Sequence, residues 1–314
     1  WYWYHRLGHE INLFWAVHIV HHQSDEFNFT VSARITVFQA FVRTLFWALM
    51  PLLGFSAEMI MSILLIHGVY PFFVHTQTIG KLGWLEYVLV TPSHHKLHHA
   101  SNPEYLDKNY GDVLIIWDKL FGTYVEETVE PVFGLTQPLN SYSFLWQHFH
   151  YWLELREAMR QAPTWWAKCK VLWGAPKDLH PQTRDVVERQ FLKHQKPEAP
   201  IRPLRSYINF QMVVSLAMLF FFVLLAFYIP LPIKILIAAW LLITLINCGA
   251  ILEQRRWIFY LEYGRFMLSI WLLYYCIPHV AVLFVGMVAV FLVGCSFSIL
   301  ERKYLHLIYK PLTS

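Results

Sequence analysis

Apolar residues fall into long unbroken runs along this chain, and polar residues are gathered between them. Two runs, about 36–53 and 55–75, meet around Pro51 and Gly54. At about 1.5 Å per residue, each nearly crosses a hydrocarbon core of roughly 30 Å. They read as a membrane hairpin, which returns the chain to the side it left. Arg43, inside the first run, is costly in lipid and should face protein, water or head groups. Four further runs, about 208–229, 232–252, 264–277 and 279–299, are broken at Pro230-Leu231-Pro232 and at Pro278. Their other ends carry Arg202 and Arg205, Arg255-Arg256, and Arg302-Lys303. If all four runs span, these clusters share one face. That face is cytoplasmic by the excess of Lys and Arg in cytoplasmic loops, and the short Arg255-Arg256 loop weighs most.

The polar stretches complete the plan. Residues 1–22 are aromatic and rich in histidine, residues 23–34 are polar, and residues 94–206 hold 14 of the 25 Lys and Arg. The expected architecture is an all-α, polytopic integral membrane protein with a helical and loop cap on the cytoplasmic side. Residues 1–150, including the hairpin, would form a catalytic domain. Residues 151–206 would be a polar cap or linker, and 207–314 a set of C-terminal transmembrane helices.

Composition sharpens this. Of 314 residues, 56% are hydrophobic and only 15% charged, against about 25% charged in an average soluble domain. The net charge of +4 is not packed into one tract, which argues against a nucleic-acid partner. The four cysteines, Cys169, Cys248, Cys276 and Cys295, show no CxxC spacing, so neither a disulfide framework nor a thiolate metal site is expected. The chain opens on Trp1-Tyr2-Trp3-Tyr4, without Met or a signal-peptide pattern, and reads as a fragment that lacks upstream helices.

Histidine carries the candidate chemistry. Nine of 17 lie within residues 5–22 and 94–99. They form His5-x3-His9, then His18-x2-His21-His22, then His95-x2-His98-His99 with His94 just before. Spacings of three and four share one helix face, so each cluster can offer two or three imidazoles to one point. Thr91-Pro92-Ser93 is a plausible helix start for the third. One continuous helix over 5–22 would turn His9 and His18 to opposite sides, about 900° apart; a break is therefore expected near 10–16. Eight imidazoles exceed what one four-coordinate zinc uses and fit two metals. Imidazole suits iron, copper, nickel or zinc alike. Neutral ligands call for nearby carboxylates, with Glu10, Asp107, Asp112 and Asp118 as candidates. His75, at the end of the hairpin, is expected to be a ninth ligand. His67 reads equally as a satisfied polar group, and His180, His194, His279 and His306 as ordinary histidines. Asp107 and Asn109 are candidates to accept from ligand N–H groups. Trp1, Trp3, Phe14, Trp15, Phe27 and Phe29 could line a lipid channel or form an interfacial belt.

These motifs, HxxxH, HxxHH and HxxHH in order, resemble the fatty acid hydroxylase/sterol desaturase superfamily. Within it the chain is most similar to the alkylglycerol monooxygenase branch. That likeness rests on Tyr4-His5-Arg6, His9-Glu10, Trp15-Ala16, His75-Thr76, Thr91-Pro92-Ser93-His94-His95, Asp107-Lys108-Asn109-Tyr110, Leu114-Ile115-Ile116-Trp117-Asp118-Lys119 and Phe121-Gly122-Thr123. Gly134-Leu135, Pro138, Asn140-Ser141 and Glu253-Gln254-Arg255 add to it. The resemblance implies two iron ions held by His5, His9, His18, His21, His22, His95, His98 and His99, with O2 as oxidant and a lipid, alkylglycerol-like substrate. It implies hydroxylation of the carbon beside the ether oxygen, decay of the hemiacetal to an aldehyde and a glycerol derivative, tetrahydrobiopterin as reductant, and a role for Glu10. The setting would be the endoplasmic reticulum in a eukaryote or the inner membrane in a bacterium. Two rival readings are a sterol or fatty-acyl hydroxylase or desaturase fed by a cytochrome b5 or ferredoxin-type electron-donor protein, and a histidine-rich membrane metal-binding protein without catalysis.

Overall fold

The computed structural model describes residues 1–192, 202–253, 255 and 257–308. Residues 193–201 of the expected cap, including His194, and Gln254 and Arg256 of the expected basic loop lie outside the described residues. Among the described residues the chain is helical, with no strand and two isolated β-bridges, Leu89 with Leu114 and Ala100 with Phe133. It divides into two compact units, Trp1–Asn140 with Gln147–His194, and Ser141–Trp146 with Gln195–Ser314.

The first unit begins with helices α1 (Tyr2–Glu10) and α2 (Asn12–His18) and a 3-10 turn, Ile19–His22. The expected break falls at Ile11, whose extended φ of −122° and ψ of 124° separate α1 from α2. The two helices then fold onto each other, and Gly8 lies against the His18 ring, where a Cβ would stand at an ordinary 3.8 Å.

The hairpin follows as α3 (Val37–Trp47), α4 (Leu49–Leu52) and α5 (Ala57–Val74). Helix α5 is long and apolar enough to cross a membrane, whereas Val37–Leu52 is shorter. His75 ends α5 and turns the chain back toward α1 and α2. Helix α6 (Pro92–His98) starts as expected, with Pro92 in its first turn and the Thr91 N–H donating to His94 Nδ1 at 3.3 Å. Helix α7 (Ile116–Phe121) ends at Gly122, whose φ of 72° suits glycine. The cap consists of α8 (Phe144–Gln161), α9 (Trp165–Trp173) and α10 (Gln182–Phe191). Tyr151 and Leu155 of α8 pack on Ala16, Ile19 and Val20. The Asn12 N–H donates to Gly174 O at 2.8 Å, so the cap is fastened to the histidine-bearing segment.

The second unit contains α11 (Arg202–Leu224), α12 (Leu231–Leu252), α13 (Ile258–Cys276), α14 (Val280–Cys295) and α15 (Phe297–Ile308). Helices α11 and α12 qualify as spans, and α14 with α15 would make one span bent by 64°. The run read as a span over 264–277 belongs to the longer α13, which is not among the spanning helices. Its first half carries Glu262 and Arg265, and Arg265 donates to Glu262 Oε2 (2.6 Å), Gln211 Oε1 (2.8 Å) and the Tyr207 hydroxyl (2.9 Å). Helices of this length and hydropathy make the chain an integral membrane protein.

Candidate metal centre

The nine histidines expected to act as ligands are all buried and are brought together in the first unit. They form two groups, His5, His9, His18, His22 and His98 in one, and His21, His75, His95 and His99 in the other. Within each group, one nitrogen from every ring lies within 4.8 Å of the rest. The groups adjoin: the His22 and His99 rings stack at 4.4 Å, and the His18 and His21 rings lie 5.3 Å apart.

Each HxxHH motif divides between the groups. His18 and His22 go to the first and His21 to the second, while His95 and His99 go to the second and His98 to the first. For the third cluster, on α6, helix geometry explains this. Residues i and i+4 differ by about 40°, whereas i+3 lies on the other side of i, about 100° from i+4. Adjacent histidines therefore straddle two points rather than converge on one.

The donor set fits metal ions. His9 Nε2 and His98 Nε2 are buried without a hydrogen-bond partner, a costly state for a polar atom. Nε2 to Nε2 separations are 3.2 Å for His18–His22, 3.2 Å for His21–His75, 3.0 Å for His75–His95 and 3.2 Å for His95–His99. With metal–nitrogen bonds of about 2.1 Å, neighbouring ligand atoms stand roughly 3.0–3.4 Å apart. Burial, with neighbouring imidazoles for most, keeps eight of the nine rings in the neutral form that metals bind. Burial and then His9 lower His5 to about 3, and burial lowers His75 to about 4. The same causes hold His18, His21, His22, His95, His98 and His99 well below the usual range.

Backbone carbonyls aim several rings. His5 Nδ1 donates to Tyr110 O at 2.8 Å, His98 Nδ1 to Lys108 O at 2.9 Å, and His75 Nδ1 to Pro71 O. Each bond leaves Nε2 turned inward as the ligand atom. The 108–111 loop is in turn held by Asp118, which is fully buried. Its Oδ1 accepts from the Tyr110 N–H and the Thr123 hydroxyl, and its Oδ2 from the Gly111 N–H, all at 2.7 Å. Only glycine fits at 111, because a Cβ would stand 2.8 Å from Asp118 Oδ2 and Leu114 O.

The other candidates take varied places. Asp107 Oδ1 lies 3.7 Å from His9 Nδ1, close to it but beyond hydrogen-bond reach. Asn109, in a left-handed conformation with φ of 52°, accepts from the Val125 N–H and donates to His94 O and Val125 O. Its amide is thus spent on backbone and not on a ligand ring. Glu10 Oε1 accepts from Arg6 Nε at 2.8 Å. Asp112 pairs with His67, against which Trp1 stacks. Trp15 lies 4.9 Å from His9, and Phe27 5.1 Å from His99; Phe14 borders a small apolar pocket, and Trp3 and Phe29 are exposed.

A cavity of about 980 Å³ opens on the centre. His9, His22 and His98 of the first group and His99 of the second line it, together with Arg6, Glu10, Asp107 and Lys108. Glu154 of α8 and Arg184 of α10 line it too. Sequence reasoning missed that pair, since nothing in the spacing of two residues 30 apart marks them as neighbours.

Residues 1–123 match the family model for fatty acid hydroxylase. Among curated proteins, the alkylglycerol monooxygenase of Homo sapiens is 38% identical over 176 residues, covering 56% of this chain and 39% of its own. That of Danio rerio is 32% identical over 272 residues, covering 81% and 58%. That of Xenopus tropicalis is 30% identical over 285 residues, covering 86% and 62%. The chain thus spans between 39% and 62% of the length of these relatives. No solved structure matches. The histidine motifs, their convergence in one buried centre and these matches agree: residues 1–123 are similar to the fatty acid hydroxylase family.

Proposed function

We propose that this chain is the catalytic part of a membrane di-iron oxygenase that hydroxylates the carbon beside the ether oxygen of an O-alkylglycerol. The carrying observation is the pair of adjoining histidine groups, which together line one polar cavity; similarity to alkylglycerol monooxygenases supplies the substrate class. Two irons, held by His5, His9, His18, His22 and His98 and by His21, His75, His95 and His99, would supply the O2 activation that side chains cannot. O2, two electrons and two protons convert R–CH2–O–R′ to the hemiacetal R–CH(OH)–O–R′ and water. The hemiacetal then breaks its bond to the ether oxygen, giving an aldehyde and a glycerol. A reduced pterin of the tetrahydrobiopterin class supplies the electrons.

The chain's own residues orient, shield and move protons. Carbonyls of Tyr110 and Lys108 fix the His5 and His98 rings, and Asn109 braces the loop that carries them. Asp107 stands beside His9 to balance charge there. Glu10 keeps Oε2 clear of its bond to Arg6, available for proton exchange with a ligand in the cavity. Trp15 and Phe27 pack over the rings and exclude water. The proposed setting is the endoplasmic reticulum or a bacterial inner membrane, with the histidines on the cytoplasmic face.

The test uses the full-length protein, loaded with iron, in lipid nanodiscs under 18O2. The expected result is one labelled oxygen in the aldehyde, trapped at once by reduction to the alcohol, with turnover dependent on the pterin. Hydroxylated sterol or acyl chain with the ether intact, or cleavage that instead requires a cytochrome b5 or ferredoxin-type donor, would overturn it. Tightly bound metal without O2 uptake would favour a metal-binding protein.

A further inference from the structure

The cavity beside the histidines is lined in part by a charged pair that the metal centre does not use. Glu154 Oε1 accepts from Arg184 Nε at 2.8 Å, and the two residues are 3% and 6% exposed. Burying such a pair is costly, and an apolar pair of similar volume would hold α8 to α10 at least as well. Each partner also keeps an atom unspent. Arg184 Nη1 donates to Gln137 O; among the described residues Arg184 Nη2 makes no hydrogen bond and Glu154 Oε2 accepts none. Both residues line the cavity. The neighbouring Tyr151 hydroxyl is occupied, since it donates to Asn12 Oδ1.

A free carboxylate oxygen beside a free guanidinium N–H matches one simple chemistry. Each hydroxyl of a vicinal diol can donate to the carboxylate or accept from the guanidinium. We propose that Glu154 and Arg184 form a head-group subsite that binds the two hydroxyls of the glyceryl moiety and so holds the ether-bearing carbon at the histidine wall. This rests on the oxygenase reading above. The subsite also accounts for charged residues in the wall of a cavity that serves a lipid: the head group meets them, and the first carbons of the chain meet apolar neighbours such as Trp15 and Leu135. A site built to hydrogen-bond hydroxyls strongly rejects an analogue that lacks one, because its own buried polar groups are then left unpaired.

The test compares 1-O-hexadecylglycerol with 2-hexadecyloxyethanol, which keeps the ether and chain but has one hydroxyl. With the full-length, iron-loaded enzyme in nanodiscs, loss of the diol is expected to raise KM about 10- to 100-fold and to change kcat little. Glu154→Gln should raise KM for the diol by a similar factor, leave KM for the mono-alcohol unchanged and keep the metal content. Arg184→Lys should fall between the wild type and Glu154→Gln. A metal-replete Glu154→Gln enzyme with wild-type discrimination would overturn the subsite, as would a wild type that does not discriminate. Should that variant not fold, the wild-type substrate pair decides alone. Equilibrium binding of both lipids to the metal-free wild type separates this inference from the reaction. Diol-selective binding without turnover would overturn the reaction and uphold the subsite, and non-selective binding would overturn the subsite. Free glycerol competing as well as hexadecylglycerol would also overturn a subsite for lipid head groups.

Discussion

His5 and His98 each spend Nδ1 on a backbone carbonyl, and a single carboxylate, Asp118, holds the loop to which both of those carbonyls belong. At the scale of the residue, the centre therefore depends on groups that touch no metal. Asp118→Ala would leave the N–H groups of Tyr110 and Gly111 and the Thr123 hydroxyl without their acceptor. A loss on the order of 3 kcal/mol of stability is expected, read as a lower thermal midpoint, together with partial loss of metal from the first histidine group. Unchanged metal content in the folded variant would mean that the loop holds without Asp118. Asp118 was legible in the sequence as one of several carboxylates, but its role was not. Which of Glu10, Asp107, Asp112 and Asp118 reaches which neighbour depends on contacts across the fold. Asn109 shows the same limit, because its amide braces backbone rather than accepting from a ligand ring.

At the scale of the element, the spacing of histidines along a helix set most of the arrangement. The nine-residue gap between His9 and His18 demanded a break, and Ile11 provides it. The break brings Gly8 against the His18 ring, and this contact gives a graded prediction. Gly8→Ala adds a Cβ at an ordinary 3.8 Å from that ring, and the protein should keep its full metal content. Gly8→Leu should displace His18 and lower the metal content measured by plasma mass spectrometry. Equal metal in both variants would show that the approach of α1 to α2 is not needed. The membrane elements were less legible. The run over 264–277 is a piece of α13, whose first half is charged, because Arg265 finds Glu262, Gln211 and Tyr207 as partners inside the bundle. Such pairing permits ionisable residues in an apolar helix, and it is not visible in a hydropathy run.

At the scale of the whole molecule, the fold gathers nine imidazoles in one buried place and lowers eight of them below the usual range, and this gives stability a direction with pH. His5 and His75 are lowered to about 3 and about 4, against about 6.5 in an unfolded chain. Between about pH 6.5 and 4 the unfolded chain takes up protons that the folded one refuses, so stability falls as pH falls. Removing metal with a chelator at pH 7.5 should lower the thermal midpoint. Acidifying the metal-free protein should lower its stability further, by up to about 1.4 kcal/mol per pH unit for each such ring, read as a still lower thermal midpoint. A metal-free protein equally stable at pH 7.5 and 5 would mean that these rings are not held neutral by burial.

The sequence by itself determined the local facts: helical and membrane-spanning character, three histidine clusters at ligand spacing, and the need to break the chain between the first two. These follow from periodicity and hydropathy, which act over a few turns of helix. Only the tertiary structure decided that adjacent histidines serve different groups, that His75 completes the second group, and that Glu154 meets Arg184 in the cavity wall. Those are meetings between side chains distant in sequence, and they are set by how α1, α2, α5, α6 and the cap pack together.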